Sequence, residues 1–419
     1  MRRKSGAVLN NRSGFQDAIS KQFHLLERHI ASNDYSVNNR CMTLLSEIKT
    51  TLPSTWYFDP EHYARELEAI WYRDWVCVGR LDDVAESGDY VVVAIGDQRL
   101  IVTRNSEQQV RVFHNTCRHR GSILCTSDQG HFRNGRIICP YHTWTYSLDG
   151  ELLVTPTRVE TGDFRAEDYS LYEVHSDSWG GFLFINLADE PRETLVDFLG
   201  MEAKALDNWP LAEMESVHEE RSRLACNWKI FWENYSECYH CPRVHPELCK
   251  IVPVYKKGIL DCGDDAQWQP EFDGDDGRPR IDRDLQTWTL DGQSPLPLID
   301  GLTDTERTIG MSFASFTASM FVVGHTDYVR SVRLLPTGPE SVDLVVNWYL
   351  VPGIKESHAD ELERIFELGR LVVRQDGEAC ELNQRGLHSR RHQRGVLVPQ
   401  EESLWEFHEW LRGRLGNAG

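Results

Sequence analysis

No apolar run in this 419-residue chain approaches the roughly 20 residues that a membrane-spanning helix needs, which argues against a helical membrane protein. The opening residues, MRRKSGAVLNNRSGFQDA, lack the apolar stretch of a secretory signal. They are basic and contain some Ser, so an organelle transit peptide is a minor alternative to the cytosolic location expected here. Basic residues are scarce overall. Lys and Arg number 45 against 65 Asp and Glu, and the resulting formal charge of −20 repels phosphate backbones and argues against nucleic-acid binding. No Gly-x-Gly-x-x-Gly follows a predicted strand, so no nicotinamide or flavin domain is expected within the chain. There is no internal repeat and no low-complexity tract.

What remains is a chain of ordinary globular composition, long enough for two or three domains. Residues 1–50 form an N-terminal extension with a predicted helix and polar connector from 14 to 50 and no chemical motif. Residues 51–187 form the next unit. Its start, PEHYARELEAIWYRDW, has helical periodicity, with Tyr63, Leu67, Ile70 and Trp71 on one face. From Asp89 the pattern turns to short β-rich runs (DYVVVAI, RLIVTR, VRVFHN) that continue to GGFLFINL near Asn186. Residues 188–419 are mixed. LACNWKIFWENYSECYH predicts a helix, 263–295 an irregular insertion or lid, FVVGHTDYVRSVRLLP and VDLVVNWYLV strands. A long helix is expected from about His358 into the 380s, and WEFHEWLRGRL closes the chain.

The 11 Cys and 16 His are expected to be buried thiols and metal ligands rather than disulfides. Cys41, Cys77, Cys226, Cys249 and Cys262 have no partner at useful spacing and read as small buried hydrophobes. Cys117-x-His119 and Cys139-x-x-His142, with nineteen residues between His119 and Cys139, are different. Two mixed Cys–His pairs on neighbouring turns can converge on one [2Fe–2S] cluster, thiolates on one iron and imidazoles on the other. Neutral imidazoles raise the potential relative to an all-Cys cluster, which suits passing single electrons onward. A Cys2His2 zinc site is the alternative, but such sites usually pair Cys with Cys and His with His.

A second set lies in NWKIFWENYSECYHCPRVHPEL. Glu237 and His240 are three apart and share a face on a helix. Pro242 is expected to end or kink that helix, so that His245 folds back toward His240. Two His and one carboxylate with open positions is the arrangement of non-haem Fe(II) oxygenases. The carboxylate must come from elsewhere. RQDGEACELNQRG offers Asp376, Glu378 and Glu381, and spacing does not choose among them. Cys238 and Cys241 are read as neutral packing residues. The acidic run Asp273–Gly277 is set aside as a calcium loop, because Gly277 occupies a ligand position and Arg278 follows it.

The first motif, CRHRGS…CPYHTW, resembles the ring-hydroxylating branch of Rieske proteins. It lacks the extra loop Cys of the respiratory branch, so Cys125 is expected to stay unbridged. ECYHC, HPEL and the downstream Gln375-Asp376 and NQRG resemble the oxygenases that demethylate glycine betaine and proline betaine. The resemblance runs from about Leu52 to Leu415 and implies an α+β protein. A β-rich Rieske domain would stand beside an α+β catalytic domain whose antiparallel sheet is covered by helices holding a mononuclear iron. It implies that Asp376 is the third ligand, with His240 and His245. Glu237, where most members carry Asp, would bridge His240 to the Rieske His142 of an adjacent subunit, within a cyclic homotrimer. It also implies a separate flavin/iron–sulfur reductase fed by NAD(P)H, and O2-dependent hydroxylation of a C–H bond.

The leading substrate expectation is a betaine-like quaternary ammonium compound, N-demethylated with loss of formaldehyde. An aromatic cage would suit such a head group, though the 13 Trp and 14 Tyr do not assign one. Hydroxylation of an aromatic ring or aromatic carboxylate is the runner-up within the class. A non-enzymatic electron carrier or metal sensor is the alternative of another class, and the second His/His/carboxylate set argues against it.

Overall fold

The computed structural model describes residues 44–260 and 280–416. Most of the predicted N-terminal helix, Cys41, Cys262 and the Asp273–Gly277 run lie outside the described residues.

Helix α1 (Pro60–Glu66) starts where Asp59 accepts a hydrogen bond from the Glu61 amide and Pro60 presets the first turn. A wider turn, Leu67–Trp71, continues it and buries Leu67, Ile70 and Trp71. The β-rich region follows as strands β1 (Val76–Arg80), β2 (Asp89–Ile95), β3 (Gln98–Arg104), β4 (Val110–His114), β5 (Gln129–His131), β6 (Ile137–Ile138), β7 (Thr145–Tyr146), β8 (Leu152–Val154), β9 (His175–Trp179) and β10 (Phe182–Asn186). They make three antiparallel sheets, in the orders β4-β3-β2-β5, β6-β7-β8 and β9-β10-β1. Ile101, Phe113, Ile137, Trp144 and Tyr146 form a small core that encloses Cys117 and Cys139.

The second region is built on one antiparallel sheet of five strands: β11 (Glu215–Leu224), β12 (Met311–Phe316), β13 (Met320–His325), β14 (Val329–Gly338) and β15 (Ser341–Leu350), in the order β11-β15-β14-β13-β12. Alternation along these strands gives the sheet two apolar faces. Ala314, Phe316, Met320, Val322, Val329 and Tyr349 pack with Phe182 and Phe184 of β10 and with Trp75, which precedes β1. Phe321, Val323, Tyr328, Val332, Val346 and Trp348 share a core with the helices. Those helices are α2 (Trp228–Tyr235), α3 (Cys241–Val244), α4 (Leu362–Leu387) and α5 (Glu402–Leu415). The fold is therefore the expected α+β arrangement of antiparallel sheet and covering helices.

A fully buried ion pair ties α1 to α2. Lys229 Nζ donates to Glu66 Oε1 at 2.6 Å, to Asn227 Oδ1 at 2.8 Å and to the Trp56 carbonyl at 2.9 Å. Glu66 also accepts from the Trp228 indole at 2.8 Å. Each charge is thus met by several hydrogen bonds, the condition under which a buried pair is tolerated.

Candidate metal centres

The two Cys–His motifs sit on loops that leave strand ends. In the first, between β4 and β5, the Cys117 amide donates to the Ser122 carbonyl and the Gly121 amide to the Cys117 carbonyl. Gly121 has φ of +74°, a left-handed conformation that favours glycine at this tight return. In the second, between β6 and β7, the Cys139 amide donates to Trp144 and the Thr143 amide to Cys139. Cys117 and Cys139 are buried, and the rings of His119 and His142 approach to 4.6 Å between centroids. The two thiols therefore lie together in one small core, and the two imidazoles lie side by side. His119 is exposed in the single chain, and slight desolvation, then the neighbouring His142 and Arg120, shift it below the ordinary imidazole range, toward the neutral form that a metal requires. Two neighbours escaped the sequence reading. The Tyr146 hydroxyl lies 3.3 Å from Cys117 Sγ, and Trp144 stacks on His119 at 4.8 Å with 9° between planes. Cys125 is a buried free thiol, as expected, and so are Cys77, Cys226 and Cys249.

The second site differs locally from the expectation. Helix α2 starts at Trp228, with Asn227 accepting from the Lys229 amide, and already ends at Tyr235. Glu237 and His240 therefore occupy the turn after the helix rather than one helical face. Pro242 does not end that helix. It is the second residue of the one-turn α3, where a proline amide would have no helical partner in any case. The cysteines need a correction too. Cys238 and Cys241, read as neutral packing residues, are joined as a disulfide across this turn, with Cα atoms 5.0 Å apart. The turn brings residues three apart within bridging reach, which a straight helical reading did not anticipate.

Glu237 Oε1 accepts from His240 Nδ1 at 2.7 Å, and its other oxygen from the His240 amide at 3.2 Å. His245 Nδ1 pairs with Gln375 Oε1 at 2.8 Å. Both rings are thus held by Nδ1 and turn Nε2 inward, the orientation that outer hydrogen bonds impose on metal-binding imidazoles. Nε2 of His240 and of His245 are 3.2 Å apart, and Asp376 Oδ1 lies 3.4 Å and 2.7 Å from them. Of the three candidate carboxylates, α4 brings Asp376 to the histidines. Glu381 accepts from the Ala225 amide instead, and Glu378 is exposed.

Burial disfavours both ionised partners, but their mutual contacts prevail. Burial would lower His240, and hydrogen bonds with Asp376 and Glu237 raise it to about 9. Burial would raise Asp376, and the two imidazoles hold it below the usual carboxylate range. The cluster accordingly favours a cation at its centre. Two imidazole nitrogens and one carboxylate oxygen, 2.7 to 3.4 Å from one another, fit a mononuclear iron that takes the place of the shared proton. Asn234, whose Nδ2 lies 3.4 Å from His240 Nε2, and Gln375 are further neighbours that spacing did not reveal.

A β-rich module with two Cys–His loops, next to a helix-covered antiparallel sheet that gathers two His and an Asp, defines a class: the Rieske-type non-haem iron oxygenases. Comparison agrees. Residues 74–166 match the Rieske [2Fe–2S] domain, and residues 211–417 the catalytic domain of ring-hydroxylating alpha subunits. The chain is 30% identical over 385 residues to a glycine betaine monooxygenase oxygenase subunit of Chromohalobacter salexigens, covering 86% of this chain and 84% of that one. It is 27% identical to a chloroplastic choline monooxygenase of Spinacia oleracea, covering 87% and 78%. A solved quaternary ammonium Rieske monooxygenase, described for carnitine oxidation, superposes with a TM-score of 0.67 at 20% identity over 87% of this chain and 95% of that one. The chain belongs to the Rieske non-haem iron oxygenases, as an oxygenase (alpha) subunit. It is an oxidoreductase with a Rieske [2Fe–2S] cluster and a mononuclear iron, which acts on a small molecule and takes NAD(P)H-derived electrons from a separate reductase. Among the described residues no helix is long and apolar enough to cross a membrane.

Proposed function

We propose that this subunit hydroxylates the N-methyl group of a betaine-like quaternary ammonium compound, so that the resulting carbinolamine loses formaldehyde. The similarity to glycine betaine, choline and carnitine oxygenases over more than four-fifths of the chain carries this reading. In it Cys117, His119, Cys139 and His142 hold the [2Fe–2S] cluster, and His240, His245 and Asp376 hold the mononuclear iron. When bound, the cluster supplies single electrons and the iron activates O2. Glu237 and Gln375 fix the two imidazole rings, and the Tyr146 hydroxyl donates to the Cys117 sulfur.

The active unit is a cyclic homotrimer in which Glu237 links His240 to His142 of a neighbouring protomer. Three observations support this. Within one chain Glu237 bonds to His240 alone among the described residues. His142 makes no side-chain hydrogen bond among them and is only partly buried. Tyr141 and Ile138 beside the cluster and Tyr239 beside the iron site are more than half exposed, which suits surfaces covered by another copy.

The test is aerobic turnover of the iron-loaded protein with a reductase and NAD(P)H, on a panel of methylated ammonium compounds. Formaldehyde stoichiometric with substrate loss is expected. Hydroxylated arenes, with no formaldehyde from any methylammonium, would favour the ring-hydroxylating reading instead.

A further inference from the structure

Arg330 of β14 is buried, 5% exposed, and makes no hydrogen bond or ion pair among the described residues; its Nε is enclosed without a partner. A guanidinium does not shed its proton at any working pH, so burial without a counter-charge is costly and calls for an anion. The nearby carboxylates are engaged elsewhere. Asp376 is taken by the two histidines, and Asp327 by the hydroxyls of Thr287 and Ser294 at 2.5 Å and 2.7 Å.

The surroundings of Arg330 share this incompleteness. Along the helix-facing side of the sheet it is paired with Trp348 and Val323, and Val323 with Phe313. The Trp288 ring lies under the guanidinium at 5.9 Å, with His325 at 5.1 Å and Phe313 at 6.1 Å from that ring. The indole nitrogens of Trp288 and Trp348 and both ring nitrogens of His325 are buried without partners. Native proteins leave few such atoms unsatisfied unless a ligand, ion or water meets them.

Helix α4 connects this group to the iron site. A Cβ on Gly369 would stand 2.9 Å from Arg330 Nη1 and 3.0 Å from the Trp348 ring, so the glycine makes room for the guanidinium. Asp376 follows Gly369 by seven residues, two turns along the same face and about 10 Å away along the axis. Tyr235, stacked on Phe321 at 3.7 Å, adds an aromatic wall from α2. A fixed positive charge thus stands at one end and the iron site at the other.

We propose that Arg330 receives the carboxylate of a zwitterionic substrate, an N-methylated ammonium carboxylate, and turns its cationic end toward His240, His245 and Asp376. This rests on the reading of the protein as a quaternary ammonium oxygenase and names the half of the substrate that the reading leaves open. Arg330 is a specificity-determining residue on this account, through charge-assisted hydrogen bonds to the substrate carboxylate.

The experiment is calorimetric titration of the anaerobic, iron-loaded protein with glycine betaine and with choline, which has the ammonium group but no carboxylate. Wild type is expected to bind the betaine more tightly. R330M should weaken the betaine by about 10- to 150-fold, the range for a lost charged hydrogen bond, and leave choline unchanged. R330K, which keeps the charge without the fork, should fall between, and it serves alone if R330M does not fold. The cluster's EPR signal reports that each variant is intact. Equal wild-type affinity for both compounds, or an equal loss of both in R330M, would overturn the proposal. Formaldehyde separates the two claims. Betaine binding that depends on Arg330 without formaldehyde release removes the demethylation reading and keeps the carboxylate site. Undiminished betaine binding and formaldehyde release in R330M does the reverse.

Discussion

Asp327 sits fully buried in the turn between β13 and β14 and anchors the 280–303 segment through Thr287 and Ser294. Burial pushes its carboxyl up to about 6, against the two hydroxyl hydrogen bonds that lower it. A folded-state value above the unfolded one means that the stability present at low pH is lost as the pH rises from about 3.8 through 6. Above that window the charged form costs on the order of 3 kcal/mol. D327N should therefore raise the melting temperature at pH 8, and the difference from wild type should shrink toward pH 5. Thermal unfolding followed by circular dichroism checks this, and a D327N protein less stable than wild type at pH 8 would show that the charge is welcome. At this scale the proposed cluster ligands were legible, because few roles place Cys with His at such spacings, whereas Asp376 was singled out from Glu378 and Glu381 by resemblance and not by spacing. Gln375, Tyr146 and Arg330 were not legible. Gln375 meets His245 across 130 positions and Tyr146 meets Cys117 across 29, contacts that only tertiary packing creates.

Helix α2 owes its place to the buried pair that joins it to α1. K229M leaves the Glu66 carboxylate without its lysine, although the Trp228 indole still donates to it and the His62 imidazole lies at 3.0 Å. A loss of about 3–5 kcal/mol is expected, with a matching fall in melting temperature. E66Q combined with K229M should recover part of it, and an unchanged melting temperature in K229M would contradict this role for the pair. Strands were the most legible elements, since β-rich runs between turn residues marked them from Asp89 to Asn186 and again over 321–336 and 342–351. The end of α2 was not. The apolar residues of NWKIFWENY continue into Cys238 and Tyr239, and nothing in their spacing announces that the chain turns at Ser236 to carry Glu237 and His240. Gly369 inside the otherwise regular α4 was a signal available in the sequence, because a helix-interior glycine has a cost that a close neighbour offsets.

The charge of −20 and the two iron motifs could be read without coordinates, but how protomers cooperate could not. If electrons cross between neighbours, a cluster-deficient H119A protein and an iron-deficient H240A protein, each inactive alone, should regain activity when co-expressed as mixed trimers. Failure to complement, in assemblies shown by mass to be mixed, would place transfer within one chain. The central claim is that side chains of this single polypeptide build two separate iron centres. Iron analysis with EPR of the reduced protein tests it most directly, on wild type beside H240A. The account predicts about three irons per wild-type chain, and about two in H240A with the His-coordinated cluster signal retained and turnover lost. Zinc in place of iron, or disappearance of the cluster signal in H240A, would contradict it.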